Sequence, residues 1–325
     1  MVAFSTPSSR GFACSSSFTT VHGVPVPPQT YSSLSADVQT RIALRDGSSS
    51  DRHAYAYAGE SFSEDDFKHL FLAFTAPFNV PISDAQITAL YKHYSLLVET
   101  NKSINLTRIT EPLAALILHY VDSFLVVHAY NALSATSTCA NVSALTPLSS
   151  IKAQSISHGS LVSFIDLGTG AGFPGIPFAL LTGKSGLLVD SVKKKIACVS
   201  SFIDSLDLRA SLSTSSMRFE DLPSQGYKTP LIIARAVAPI RTLLEYAAPL
   251  LTRDGILLCS KSQQCEQELL DAKNAAKLCG FEFVSRETYE LPLEFGYREI
   301  VVFQKCKPAT IKLPRKVGMA VHKPL

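Results

Sequence analysis

No C-x-x-C pair occurs among the seven cysteines of this chain, at positions 14, 139, 198, 259, 265, 279 and 306. Their odd number and wide scatter exclude a disulfide framework and a structural zinc site, and leave reduced thiols as the expectation. The eight histidines show no H-x-x-x-H spacing, so no metal is expected. The longest apolar run, residues 113–130, carries His119 and Asp122 at its middle. Charge is costly there in lipid, so the run reads as a buried amphipathic helix and no membrane partner is expected. Acidic residues are missing from both ends. Residues 1–36 hold no Asp or Glu and are rich in Ser, Thr and Pro, without the continuous apolar core of a secretory signal. A disordered tail, an overlong start and an organelle transit peptide share that composition. At the other end no acid follows Glu299, while Lys305, Lys307, Lys312, Arg315, Lys316 and Lys323 do. The net charge is only +3, but a basic end suits a polyanionic partner; charge alone fits a solubilising tail nearly as well.

What is present is a large apolar fraction, 46% of 325 residues, enough for one large domain with extensions or two smaller ones. Residues 1–60 read as a disordered or targeting-like tail. A helical region follows over 61–133, with one helix at 64–76. Ser83 reads as the N-cap of a second, in which Ile87, Leu90, Tyr91, Tyr94, Leu97 and Val98 recur at helical spacing. Residues 101–110 form a polar connection, and Glu111-Pro112 opens the next helix, with proline where its missing N–H is not needed. The Ser/Thr/Ala-rich stretch 134–160 reads as a long loop or insertion. From 161 to 306 strands and helices alternate, the pattern of a parallel sheet. Strands are expected at 161–165, 186–190, 231–236 and 255–261, with a weakly marked one within 208–217. Helices are expected at 173–182, 193–206, 240–251 and 264–279, the last stopped by Gly280. Segments 281–291 and 298–304 lie close enough to pair as an antiparallel hairpin. Residues 307–325 are the basic tail. The expected fold class is α/β, a Rossmann-like sheet ending in an antiparallel hairpin with an N-terminal helical extension. That ending favours a class I methyltransferase over a dehydrogenase, and no second domain for dehydrogenase chemistry follows.

The most informative segment is Phe164-Ile-Asp-Leu-Gly-Thr-Gly-Ala-Gly-Phe-Pro-Gly175. A strand passes an acid and breaks into a turn whose Gly168, Gly170 and Gly172 can take positive φ and leave backbone bare for a ligand. Two templates fit it. Gly170-Ala-Gly172-Phe-Pro-Gly175 matches the dinucleotide pattern, which holds a pyrophosphate on amide N–H groups at a helix N-terminus. Asp166-Leu-Gly168-Thr169-Gly170-Ala-Gly172 followed by Phe173 matches the pattern that binds S-adenosylmethionine (SAM), which has no phosphate. Asp166 at the strand end favours SAM; a tight turn with no ligand uses the same glycines.

Ligand contacts in an open α/β sheet gather at strand C-termini. Asp190 ends the second strand, where a carboxylate can accept from ribose hydroxyls or cap the next helix. Phe219 and Glu220 follow the third strand, where the adenine edge would lie, with Glu220 as acceptor for the adenine amine or as a solvated charge. Arg235 stands between apolar neighbours at the end of the fourth strand, in place of the Asn/Asp-Pro-Pro-aromatic turn of many amino-methyltransferases. It suits a substrate acceptor group or a phosphate, or pairs structurally with a carboxylate. Lys261 ends the fifth strand and can join it. Arg235 and Lys261 are therefore the candidate catalytic residues. His119, Asp122 and Ser123 share one helix and either close over the pocket or buttress the sheet, the buttress being favoured.

These residues resemble the RsmG/GidB family of 16S ribosomal RNA guanine-N7 methyltransferases. The blocks run in the family's order: Asn105-Leu-Thr107, His119-Tyr-Val-Asp-Ser123, Asp166 to Pro177, Asp190-Ser191 with Lys194-Lys195, Arg218 to Glu220, Ala234-Arg-Ala-Val-Ala238, Ser260-Lys261 and Pro314-Arg-Lys-Val-Gly318 with Lys323-Pro-Leu325. Three features depart from it. Residues 1–60 and 134–159 lie outside the family core, Ser262 stands where glycine is usual, and Val317 with Met319-Ala320 stands where Pro and Thr-Pro are common. The resemblance implies SAM as cofactor, methylation of a guanine in the decoding-region loop, and 16S rRNA or a small-subunit precursor as partner. It also implies a cytoplasmic setting, or a plastid if residues 1–36 are a transit peptide. Guanine N7 carries no proton, so no general base is required. Lys193, Lys194, Lys195, Lys312, Arg315, Lys316 and Lys323 are the candidate RNA contacts. A monomer is the default expectation. A small-molecule methyltransferase, a non-catalytic rRNA-binding assembly protein and an NAD-binding oxidoreductase are the competing readings.

Overall fold

The structure is a computed structural model that describes residues 29–45, 53–135, 162–262 and 265–325. The long loop expected over 134–160 and the transit-peptide reading of residues 1–36 fall almost wholly outside these residues. The disordered tail expected to residue 60 needs correction where the structure describes it. A short helix α1 (Ala36–Thr40) precedes a two-stranded antiparallel sheet of β1 (Ile42–Leu44) and β2 (Tyr55–Tyr57). These elements are tied down by long-range polar bonds. Arg41 pairs with Asp66, the Tyr57 hydroxyl donates to Asp66 Oδ2 at 2.7 Å, and the Tyr57 N–H donates to Glu111 Oε1 at 2.9 Å. Composition alone could not reveal partners so distant in the chain.

The helical region follows expectation closely. Helix α2 (Glu64–Thr75) and helix α3 (Asp84–Asn101) each begin with a complete capping box, Ser63 with Asp66 and Ser83 with Gln86. The next helix starts at Pro112, capped by the Glu111 carboxylate, as α4 (Pro112–Ala115). It passes through a π-helical turn, Leu116–Val121, and continues as α5 (Asp122–Ala135). Among the described residues Pro112–Ser134 is the one helix long and apolar enough to cross a membrane, but 83% of its apolar window is buried inside the protein.

The sheet has seven strands: β3 (Phe164–Leu167), β4 (Gly186–Val189), β5 (Leu212–Ser215), β6 (Thr229–Arg235), β7 (Leu251–Lys261), β8 (Phe281–Glu290) and β9 (Tyr297–Lys305). Their order is β5-β4-β3-β6-β7-β9-β8. The first five are parallel, whereas β9 runs antiparallel to both β7 and β8. This is the class I methyltransferase sheet. Strand alternation sends successive apolar residues to opposite faces. Phe164, Leu188, Ile233, Leu258 and Ile300 join α2, α3, α5, α6 (Gly175–Thr182) and α7 (Lys193–Ser205) in one core layer. Ile165, Leu187, Ile232, Leu257 and Val301 join α8 (Ile240–Ala247), α9 (Glu266–Asp271) and α10 (Lys273–Cys279) in the other. The single helix expected over 264–279 is thus two, separated at Ala272, and Gly280 ends the second at φ +81°. Because β3 is central and the order reverses beside it, its C-terminal end opens onto the crevice between β4 and β6, where such sheets bind ligands.

Candidate active site

The chain leaves β3 through a loop in which Gly168, Gly170 and Gly172 take φ of +76°, +59° and +98°. Only one of the three borders open space. A Cβ on Gly168 would lie 2.4 Å from Val237 Cγ2 and one on Gly172 2.6 Å from Ile176 Cδ1, whereas one on Gly170 would meet nothing nearer than the Gly168 carbonyl oxygen at 4.0 Å. Gly170 is therefore bare toward the crevice. Replacing it separates backbone strain from ligand clash. Gly170→Ala should cost about 1–2 kcal/mol of stability for its left-handed φ while weakening S-adenosylhomocysteine binding by about tenfold or more. Urea unfolding and calorimetric titration measure the two. An affinity equal to wild type would remove Gly170 from the ligand surface.

The amides of this loop decide between the two glycine templates. The N–H groups of Gly168 and Thr169 donate to the Val189 carbonyl, those of Gly172 and Phe173 to the Thr169 carbonyl, and that of Ile176 to Gly172. Gly170 N donates to Asp190 Oδ2 at 3.1 Å, and Gly175 N to Asp166 Oδ2 at 2.9 Å. A pyrophosphate needs such amides free. Here they are spent inside the protein, and a carboxylate faces the loop. The arrangement fits a nucleoside with hydroxyls and a cationic group. Asp190 also accepts from Val192 N at 2.9 Å through Oδ1, so it shapes the loop while lone pairs remain on its oxygens.

Asp166 is placed differently from the expectation of a carboxylate beside the ligand. It is fully buried beneath the loop, facing the helix start, where a Cβ on Gly175 would come within 2.6 Å of its Oδ2. Burial pushes it up to about 7, opposed by the Gly175 hydrogen bond and the Arg235 charge. It braces the loop from inside. The Phe173 side chain likewise turns inward. His119 stacks on its ring at 4.6 Å and 14°, Tyr120 meets it edge-on at 5.2 Å, and the Arg235 guanidinium lies 5.3 Å from its centroid. His93 of α3, which nothing in the sequence marks as a site residue, packs 5.0 Å from the same ring and is fully buried. Burial holds His93 down to about 3, and burial with the Arg235 charge holds His119 well below the ordinary histidine range. Both are neutral. Thr107 meets His119 Nε2 at 3.1 Å, linking the polar connection to the site.

Arg235 ends β6, and Ala236 after it takes φ +54° to turn the chain away. Arg235 Nη1 donates to the Leu118 carbonyl at 3.0 Å and to Asp122 Oδ2 at 3.2 Å. Arg298 Nε reaches the same Oδ2 at 2.9 Å, and Ser260 Oγ lies 3.4 Å from Oδ1. One carboxylate thus serves two guanidiniums, which retain 15% and 12% side-chain exposure. The favoured buttress reading holds for Asp122. Arg298 was missed, since an arginine on a hairpin strand carries no local mark of its partner. Lys261, expected as catalytic, is instead paired. Its Nζ lies 2.8 Å from Glu268 Oε2 and donates to the Ala238 carbonyl at 3.1 Å. Glu220, expected at the adenine amine, accepts from Gly318 N at 2.9 Å in the C-terminal segment, and Phe219 packs edge-on to Tyr246 at 5.2 Å. Among the expected RNA contacts Lys193, Lys194, Lys312, Lys316 and Lys323 are exposed and Lys195 half-buried. Arg315 departs from them, being held bidentate by the buried Glu245. No cluster of three or more metal-ligating side chains occurs among the described residues.

The family model described as rRNA small subunit methyltransferase G matches residues 129–292. A ribosomal RNA small subunit methyltransferase G from Alkaliphilus oremlandii is 33% identical over 76% of this chain and 94% of its own length. The chain belongs to the small subunit methyltransferase G family. Relatives of the same description from Lactococcus lactis subsp. cremoris and Desulfitobacterium hafniense are each 32% identical, covering 78% and 76% of this chain and 98% and 92% of theirs. Membership brings the family's blocks into one place. The glycine loop, the Asp122–Arg235 pair and Thr107 with His119 come together, although they are spread from residue 107 to residue 235. In this family member the C-terminal Pro-Arg segment also folds back onto the domain.

Proposed function

We propose that this protein transfers a methyl group from SAM to N7 of a guanine in the decoding-region loop of small-subunit 16S rRNA. The observation that carries the reading is the glycine loop. It leaves Gly170 open to the crevice while its amides are engaged internally, a cradle for a phosphate-free nucleoside. Family membership supplies the polyanionic substrate class. When bound, SAM would supply an electrophilic methyl group; the loop and Asp190 would hold its nucleoside end.

The chain's own residues fit an acceptor that has no proton to lose. The two histidines nearest the site are buried and neutral, one stacked and the other hydrogen-bonded to Tyr120 at 3.1 Å, so neither serves as an exposed base. Placement of N7 in line with the methyl group and a fixed local field then account for the rate. Arg235 supplies that field. Among the described residues its hydrogen bonds run through Nη1, which leaves donors on its fork for guanine O6 or an adjacent phosphate. The expected setting is a compartment with bacterial-type ribosomes, a cytoplasm or a plastid.

The direct test is methyl transfer from labelled SAM to 16S rRNA, naked and in 30S particles, with the product nucleoside identified. 7-Methylguanosine at a single site is expected; SAM binding with no incorporation into either form would overturn the reading. Exposed lysines make a further prediction. RNA affinity should fall log-linearly with salt, and Lys194→Ala or Lys316→Ala should each reduce the slope by about 0.7–0.9. A slope unchanged in both variants would take these lysines out of the interface.

A further inference from the structure

The basic C-terminal segment is built into the domain. Leu313 and Leu325 pack on the core layer formed by α8 to α10, and Ala320 is buried within it. Arg315 Nε donates to Glu245 Oε1 at 2.6 Å and Nη2 to Oε2 at 2.5 Å, while Nη2 also donates to the Lys323 carbonyl at 2.9 Å. Thr242 Oγ1 donates to the Ala320 carbonyl at 3.1 Å. A buried carboxylate and a two-pronged guanidinium make a strong, directional anchor.

The remaining bond is the informative one. Gly318, at φ +84°, directs its N–H to Glu220 Oε1 at 2.9 Å. Glu220 lies in the 3-10 segment Phe219–Gln225, which follows β5 at the ligand-binding edge of the sheet, one strand beyond Asp190. That segment carries Pro223 within it and no side-chain cap at its start. Phe219 rests on Tyr246 of α8, and Arg315 grips Glu245 of the same helix. Segment and tail are therefore fastened both to each other and to one helix.

We propose that residues 313–325 are a clamp that fixes the 219–225 edge of the nucleoside site, with Glu220 and Arg315 as positioning residues for cofactor binding. The clamp rests on the cofactor reading given above. With it released, the edge would be ordered only at the cofactor's expense, and affinity would drop by that ordering cost. This assigns Glu220 a role different from direct recognition of adenine: it holds its own segment in place through the tail.

The test is calorimetric titration of S-adenosylhomocysteine into the full-length protein and four variants, without RNA. Glu220→Ala and Arg315→Ala should each bind about tenfold more weakly. Glu220→Gln, which keeps an oxygen acceptor for Gly318, should stay within about twofold of wild type, as should Val321→Ala on the exposed side of the tail. Trypsin should cleave after Lys312 or Lys316 sooner in Arg315→Ala than in wild type. Unchanged affinity in both alanine variants with the tail freed to trypsin overturns the clamp alone. Equal loss in Glu220→Gln and Glu220→Ala also overturns it, placing the carboxylate on the ligand. A wild type that fails to bind S-adenosylhomocysteine overturns the cofactor reading and the clamp with it.

Discussion

Asp122→Ala should be the most damaging single substitution at the site, lowering stability by about 3 kcal/mol and abolishing methyl transfer. The carboxylate is 3% exposed and forms ion pairs with two arginines whose side chains keep 15% and 12% exposure. Removing one member of a buried ion pair costs about 3–5 kcal/mol because the partner is left uncompensated. Here two guanidiniums lose their shared counter-charge, but their partial exposure allows some rehydration, which sets the lower end of that range. Asp122→Asn keeps an acceptor at the same place and should lose less stability while still disturbing Arg235. Urea unfolding at neutral pH reads the difference. If alanine and asparagine cost the same small amount, the carboxylate is not the anchor of the two arginines. The effect should reach the glycine loop as well, because Arg235 lies over Phe173.

The second large effect is expected in acid. An unfolded histidine takes up a proton below its ordinary value of 6.5, but folded His93 does so only at about 3, and His119 is also held well below 6.5. As pH falls through 6.5 the unfolded chain binds protons that the folded chain refuses, so stability drops, by about 1.4 kcal/mol per pH unit for His93. Asp166 works in the opposite sense. Its folded value of about 7, against an ordinary 3.8, means that the folded chain holds a proton the unfolded chain has lost. Its contribution therefore improves as pH falls from 7 toward 4, at the same rate. His93, His119 and His128 are all held low and oppose Asp166, so the balance is a net loss of stability as pH falls below about 6. His93→Gln retains an acceptor for Tyr120 and removes one titration, so its stability should fall less steeply there than the wild type's. Denaturant midpoints at pH 6, 5 and 4 compare the two proteins. A wild-type curve as flat as the variant's would show that His93 is not buried in the neutral form.

The glycine loop shows how far local reasoning reaches. The positive-φ demand at Gly168, Gly170 and Gly172 was legible because few other residues accept it, and all three meet it. That Gly170 alone faces the crevice was not legible, since Val237 and Ile176 fill the space beside the others. The choice between pyrophosphate and SAM hung on Asp166 from the letters alone. In the folded protein it rests on where the loop amides point, and Asp166 itself is an internal brace.

Sequence by itself determined the alternation of strands and helices beyond residue 161, the N-cap at Ser83, the helix start at Pro112, the stop at Gly280 and the closing hairpin. Each depends on bonds or steric limits within a few residues. Tertiary structure alone decided what the charged residues do. Arg235 meets a carboxylate 113 positions away, Gly318 meets Glu220 across 98, and Arg315 meets Glu245 across 70. A long charged side chain has no periodicity that names its partner, and several partners satisfy the same charge equally well in the unfolded chain. Only when the sheet sets β6 beside β7 and the tail returns over α8 does one partner come within hydrogen-bond reach. That selection left Arg235 in the site, turned Lys261 and Arg315 into anchors, and joined Glu220 to the tail.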